Sequence, residues 1–244
     1  MLVHTNAIVL RRIRYGDTSV IATLLTAERG IESVLAKGAR SAKSRTAGLL
    51  QPLEELLVQY YVKPGRELHI LRSAERVVLR RRVPSSYEHT LAAMAMVEIV
   101  LRLELPGHAV PDVFALLSSS LAALDRSDIL PMMYPVAFAF RFAAAHGFQI
   151  GATEQMLGDR GFYRFRLDSG TFEQLSDADT GTVDWQTARA VVHLATMPIE
   201  QLSTVELAPS VVVQCQSLAE RFLSYHFERA VRRSGLSQDS LNVP

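Results

Sequence analysis

Residues 53–62 read Leu-Glu-Glu-Leu-Leu-Val-Gln-Tyr-Tyr-Val, and their alternation decides the fold class of the first third of the chain. In an extended chain successive side chains point to opposite faces, so Leu56, Val58 and Tyr60 share one face while Glu55, Leu57 and Gln59 share the other. One face is dry and the other mixed, which predicts a strand half-buried in a sheet. Lys63-Pro64-Gly65 then interrupts the pattern as a turn, and a second extended run follows from Glu67 to Val77.

Towards the amino terminus the same signal recurs. Asn6 to Arg14, Ser19 to Thr26 and Ile31 to Lys37 are further candidate strands, divided by turn residues at Tyr15-Gly16-Asp17 and Glu28-Arg29-Gly30. Five short strands with one long loop after the third suit a small closed barrel of the OB type, since closure leaves no strand edge open. A simple antiparallel sheet fits the same pattern.

Past Arg80-Arg81-Arg82 and Pro84 the hydrophobic period lengthens from two towards 3.6, as Leu91, Met94, Ala95, Ile99 and Leu103 line one helix face. A domain boundary is therefore expected at residues 82–83, with a barrel domain over 1–82 and a mainly helical domain over 83–244. Further helices are predicted at about Pro111–Leu124, Pro131–His146, Asp184–Ala195 and Pro209–Arg233. Gly161 to Leu175 reads as a small β-hairpin turning at Asp168-Ser169-Gly170, inside an insertion at about residues 147–176. The fold expected is α+β, a five-stranded OB-type barrel followed by helices that carry a small β insertion.

Charge divides the chain at the same place. Residues 1–82 hold 15 Lys and Arg against 7 Asp and Glu, net +8, whereas residues 83–244 hold 11 against 18, net −7. Cations concentrated in one third of a nearly neutral protein point to a polyanion, because each phosphate they neutralise releases counterions. A solvated surface is the plainer alternative. A single cysteine, Cys215, excludes internal disulfides and fits a reducing compartment. Arg11, Arg12 and Arg14 interrupt any signal-peptide core and no apolar run reaches 18 residues, so a soluble cytoplasmic protein is expected.

Enzyme signatures are missing from the sequence. Gly30 and Gly38 lie eight apart with no Gly-Lys-Ser/Thr after them, and no nucleophile elbow, zincin helix, Cys-x-x-Cys pair or dinucleotide-binding glycine triplet occurs. The seven histidines show no spacing suited to a metal, and Asp177 with Asp179 sits in a polar loop where solvation is the commoner fate. No catalytic residue, cofactor or metal is expected.

What remains is the loop after the third strand, where Lys37, Arg40, Lys43 and Arg45 are separated by small residues. Such a loop lets cations, backbone amides and hydroxyls approach phosphate closely. Arg11, Arg12 and Arg14 on the first strand and Arg72 and Arg76 on the fifth are expected to adjoin and extend it into a basic stripe. The nearby aromatics Tyr15, Tyr60 and Tyr61 are few, so contact to the backbone rather than stacking on bases is expected. A nucleic-acid-modifying enzyme that uses the barrel to hold substrate, and a protein-binding barrel with incidental charge, are the other readings.

Several segments resemble one family. Ala7-Ile8-Val9-Leu10, Tyr15-Gly16-Asp17-Thr18-Ser19, Thr26 and Ala36-Lys37-Gly38-Ala39-Arg40-Ser41 look like the bacterial recombination mediator family RecO. Leu50-Gln51-Pro52-Leu53, Leu71-Arg72-Ser73-Ala74-Glu75, the run Phe138 to Phe148 and Tyr163-Arg164-Phe165 with Gly170 continue the resemblance in order. It implies an OB barrel with a helical domain that binds single- and double-stranded DNA, anneals complementary strands, and works with RecR to load RecA onto strands coated by single-stranded-DNA-binding protein (SSB). It also implies a helical-domain pocket for the acidic, Phe-ended SSB tail, for which Phe138, Arg141 and Phe142 are candidates at helical spacing. Many members carry a four-cysteine zinc site in the insertion. Residues 147–172 hold no cysteine, so zinc is not expected and the Asp168-Ser169-Gly170 turn with its flanking aromatics must hold the insertion.

Overall fold

In the computed structural model, which describes residues 1–41, 44, 46–62, 65–107, 111–128, 131–158 and 160–233, the alternating stretch forms a strand over Glu55–Tyr61. It is β4, and Leu56, Val58 and Tyr60 are wholly buried along its inner face. The others are β1 (Leu2–Tyr15), β2 (Ser19–Thr26), β3 (Gly30–Ala36) and β5 (Leu68–Val78), with one helical turn, α1 (Thr46–Leu49), in the loop after β3. They close into a barrel in the order β1-β2-β3-β5-β4, with β4 returning to β1. All neighbours run antiparallel except β3 and β5, which are parallel. Ala7, Val9, Val20, Ala22, Leu24, Val34 and Leu56 fill the interior.

Closure corrects one expectation. β1 and β5 do not adjoin. A strand has two edges, and those of β1 are taken by β2 and β4; β5 pairs with the far side of β4. The arginines of β1 and β5 therefore share no ladder.

Helices α2 (Tyr87–Leu103) and α3 (Pro111–Arg126) follow the barrel. The buried face of α2 is Ala92, Ala93, Met96, Val97 and Val100, while Leu91 and Met94 of the expected stripe are exposed. Both faces of this helix are apolar, so periodicity selects the helix and not the face. The barrel's exit is fixed to α3, because one Asp125 carboxylate accepts the backbone N–H groups of Arg81, Arg82 and Val83 at 3.1, 2.8 and 2.8 Å. The chain divides into two compact units, Met1–Arg126 and Ser127–Pro244, so the first includes these two helices as well as the barrel.

The second unit contains α4 (Met133–Ala145), α5 (Trp185–Thr196) and α6 (Pro209–Arg233) with a small sheet. The predicted hairpin is β6 (Phe162–Arg166) and β7 (Thr171–Leu175), and a third strand, β8 (Thr182–Asp184), pairs with the other edge of β6. β8 has only three residues, too few to show a period. Phe165 contacts Phe172 at 4.9 Å and Phe222 of α6 at 5.7 Å between ring centroids, which anchors the sheet to the helices. Its turn needs glycine: Gly170 has φ +64°, and a Cβ there would lie 2.8 Å from the Gln149 carbonyl oxygen.

Candidate nucleic-acid interface

The basic residues of the first strand are sorted by a bulge. Ala7 and Val9 face the barrel interior, and strict alternation would send Arg11 and Ile13 the same way. The register between β1 and β2 shifts between Val9 and Arg11, however, so Arg12 stands opposite Ala22 and Arg14 opposite Val20. Directly opposed residues of a ladder project from the same face. Ala22 and Val20 belong to the interior set, so the one-residue bulge moves Arg12 and Arg14 onto the inner side and Arg11, Ile13 and Tyr15 onto the outer side. Burying two guanidiniums would be costly. Here the strand has run past the closed core, and both arginines are exposed.

They open onto a groove of about 510 Å³. Arg12, Ile13 and Arg14 line one side, Val20 of β2 contributes apolar surface, and Arg40, Gly48 and Gln51 complete the lining. Arg40 is set in place by its own backbone: its N–H donates to the Thr18 carbonyl at 2.8 Å, and its Nη1 donates to the Gly16 carbonyl at 3.3 Å. That ties the segment after β3 to the β1–β2 turn and leaves most of the guanidinium's five donors available. Among the described residues that line the groove there is no carboxylate and no aromatic ring. The charged residues that line it are all cations, which suits a phosphate backbone.

The remaining predicted residues are placed less uniformly. Arg11, Lys37 and Arg72 are exposed, with Arg72 at an irregularity in the β4–β5 ladder. Arg76 is engaged by both oxygens of Glu54, at 2.6 and 2.8 Å. Lys43 and Arg45 lie outside the described residues. Gly48 and Gln51 join the groove through space alone, although Gln51 sits in the Leu50-Gln51-Pro52-Leu53 segment.

Not all the surplus charge is at the surface. Glu32 accepts from Arg29 Nε at 2.8 Å and pairs with His69 Nε2 at 2.7 Å, and this bond to Glu32 holds the Arg29 guanidinium above its ordinary pKa. The Tyr60 ring stacks on His69 with centroids 5.7 Å apart, and burial, followed by the Glu32 charge, pushes its phenol up to about 12. Arg80 is buried against Glu55 at 2.5 Å.

In the second unit Phe138 and Phe142 are wholly buried, with ring centroids 6.0 Å apart. Arg141 is half-buried and donates to the carbonyls of Leu194 and Met197 at the end of α5, where a cation complements the helix dipole. Burial lowers its pKa. No helix among the described residues is long and apolar enough to cross a membrane. Among the same residues no three His, Cys, Asp or Glu side chains gather closely enough to hold a metal ion.

A sequence model described as the N-terminal part of recombination protein O matches residues 1–80, and one for its C-terminal part matches residues 84–235. The chain belongs to the RecO family. Its role is in DNA repair and recombination. Among relatives, the DNA repair protein RecO of Salinibacter ruber is 30% identical over 234 residues, covering 94% of this chain and 90% of the relative. The RecO protein of Anaeromyxobacter sp. (strain Fw109-5) is 31% identical over 241 residues, covering 93% and 92%. That of Chlorobium luteolum is 26% identical over 260 residues, covering 97% of both. The two RecO matches together run through both compact units.

Proposed function

We propose that this RecO-family chain is a non-catalytic mediator whose barrel binds DNA strands by their phosphates and brings complementary strands together. The observation that carries the reading is the groove in which Arg12, Arg14 and Arg40 meet with no carboxylate among the described lining residues. Neutralising phosphates on two strands lowers their mutual repulsion, which is the electrostatic barrier to pairing. Exposed Arg11, Lys37 and Arg72 add to the barrel's positive charge, as Lys43 and Arg45 do by sequence, whereas Arg76 has Glu54 alongside and contributes little. The acidic remainder of the chain would do the partner work, with RecR and the SSB tail as partners and RecA loading as the outcome. In that reading only Arg141 of the Phe138, Arg141 and Phe142 trio has surface to offer, and it meets the acidic tail from above a closed aromatic core. The setting is the cytoplasm, on the nucleoid.

The test follows annealing and equilibrium binding of fluorescent oligonucleotides, bare and SSB-coated, across a salt series. The triple variant Arg12→Ala, Arg14→Ala, Arg40→Ala should lower the slope of log K against log salt by about two units, since each phosphate contact on a single strand contributes about 0.7. Binding at 0.1 M salt should then fall roughly 100-fold, and annealing with it. An unchanged slope would refute the assignment.

A further inference from the structure

The geometry points to a single strand held by successive phosphates, with its bases turned away from the protein; this rests on the groove being the phosphate site. Arg12 and Arg14 stand two residues apart on one face of an extended strand, opposite Ala22 and Val20. At about 3.4 Å per residue their Cα atoms are roughly 6.8 Å apart, comparable with neighbouring phosphates of one extended polynucleotide strand. Arg40, held at the β1–β2 turn by Thr18 and Gly16, lines the same groove, together with Val20.

What the groove omits sets the orientation of the bases. Sites that draw bases inward present aromatic faces to stack on. Here Tyr60 is wholly buried against His69, Tyr15 projects from the outer side of β1, and no ring is among the described lining residues. With three guanidiniums drawing the backbone in and no ring among the described lining residues for bases to stack on, the bases face solvent. A strand presented in that way keeps its pairing edges open to a complement.

Two modified oligonucleotides test this on the full chain, with Arg12→Ala/Arg14→Ala beside the wild type. A strand made abasic over its central residues should bind the wild type within about threefold of the unmodified strand, whereas each base held by stacking would cost roughly fivefold or more on removal. A strand with three successive neutral methylphosphonate linkages should lose about two units of salt slope on the wild type and only about 0.7 on the double variant, which retains Arg40. A large loss on the abasic strand overturns the outward orientation while leaving the phosphate site standing. Equal binding of the unmodified strand by the double variant and the wild type overturns the phosphate site itself. Circular dichroism checks that the double variant, changed only at exposed positions, is folded.

Discussion

Arg80 belongs to the basic surplus of the first third, yet its surroundings make it a structural residue, and removing it should cost stability without touching DNA binding. Its side chain is 6% exposed, its Nη2 donates to Glu55 at 2.5 Å, and its Nη1 donates to the Leu53 carbonyl at 3.1 Å. Glu55 is also buried and takes the Ser118 hydroxyl of α3 on both oxygens, at 3.0 and 2.9 Å. Leu53 has φ +73°, a conformation that costs about 1–2 kcal/mol per non-glycine residue and needs its carbonyl held in place. Arg80→Ala leaves a buried carboxylate with only a hydroxyl to face, a loss of about 3–5 kcal/mol for breaking one side of such a pair. For a unit of this size that is roughly 10–20 °C in melting temperature. Replacing both partners, Glu55→Leu with Arg80→Met, should recover most of it, because the penalty lies in the stranded charge. Urea denaturation of the four proteins of the cycle supplies the coupling energy, and salt titration of DNA binding supplies the control. A single variant that costs under about 1 kcal/mol, or an Arg80→Ala protein whose salt slope drops, would refute the reasoning.

The other expectations concern groups buried for fold rather than for binding. Tyr60 has its phenol raised to about 12 from the ordinary 10, so its contribution to stability is complete below pH 10 and is lost as pH rises through 12. Tyr60→Phe should therefore lose about 2–3 kcal/mol less than the wild type between pH 9 and pH 12, while differing little at pH 8; parallel urea midpoints in both proteins would disprove it. Gly170→Ala should cost about 1–3 kcal/mol, since φ is +64° and the new Cβ would meet the Gln149 carbonyl at 2.8 Å. Thermal melts and hydrogen exchange in residues 162–175 would register that loss, and an unchanged melting curve would contradict it.

Much was legible in the chain itself. The alternation at Leu56, Val58 and Tyr60, with turn residues around it, marks a strand; five such strands with a gap after the third suit an OB-type barrel as well as a simple antiparallel sheet, and the structure has the closed barrel. The lengthened period beyond Pro84 marks helices, and those from Pro111 and Pro209 begin where proline places them. These features are local, because side-chain period and turn chemistry are set within a few residues of backbone. The basic excess was equally plain, since composition requires no fold at all.

Which of those cations meet is a different matter, and only the tertiary structure decided it. The bulge between Val9 and Arg11 puts one extra residue on β1 against β2, and it reverses the side on which Arg12 and Arg14 stand. Closure put β4 between β1 and β5, Glu54 took Arg76, Glu55 took Arg80, and Glu32 took Arg29. Each of these pairings except the last joins residues more than 20 positions apart, where no sequence period reaches. A one-residue shift in register moves every following side chain to the other face. The sequence by itself therefore determined the strands, the helices and the excess of cations in the first third, while long-range pairing determined that the strands close into a barrel and that Arg12, Arg14 and Arg40 share one groove.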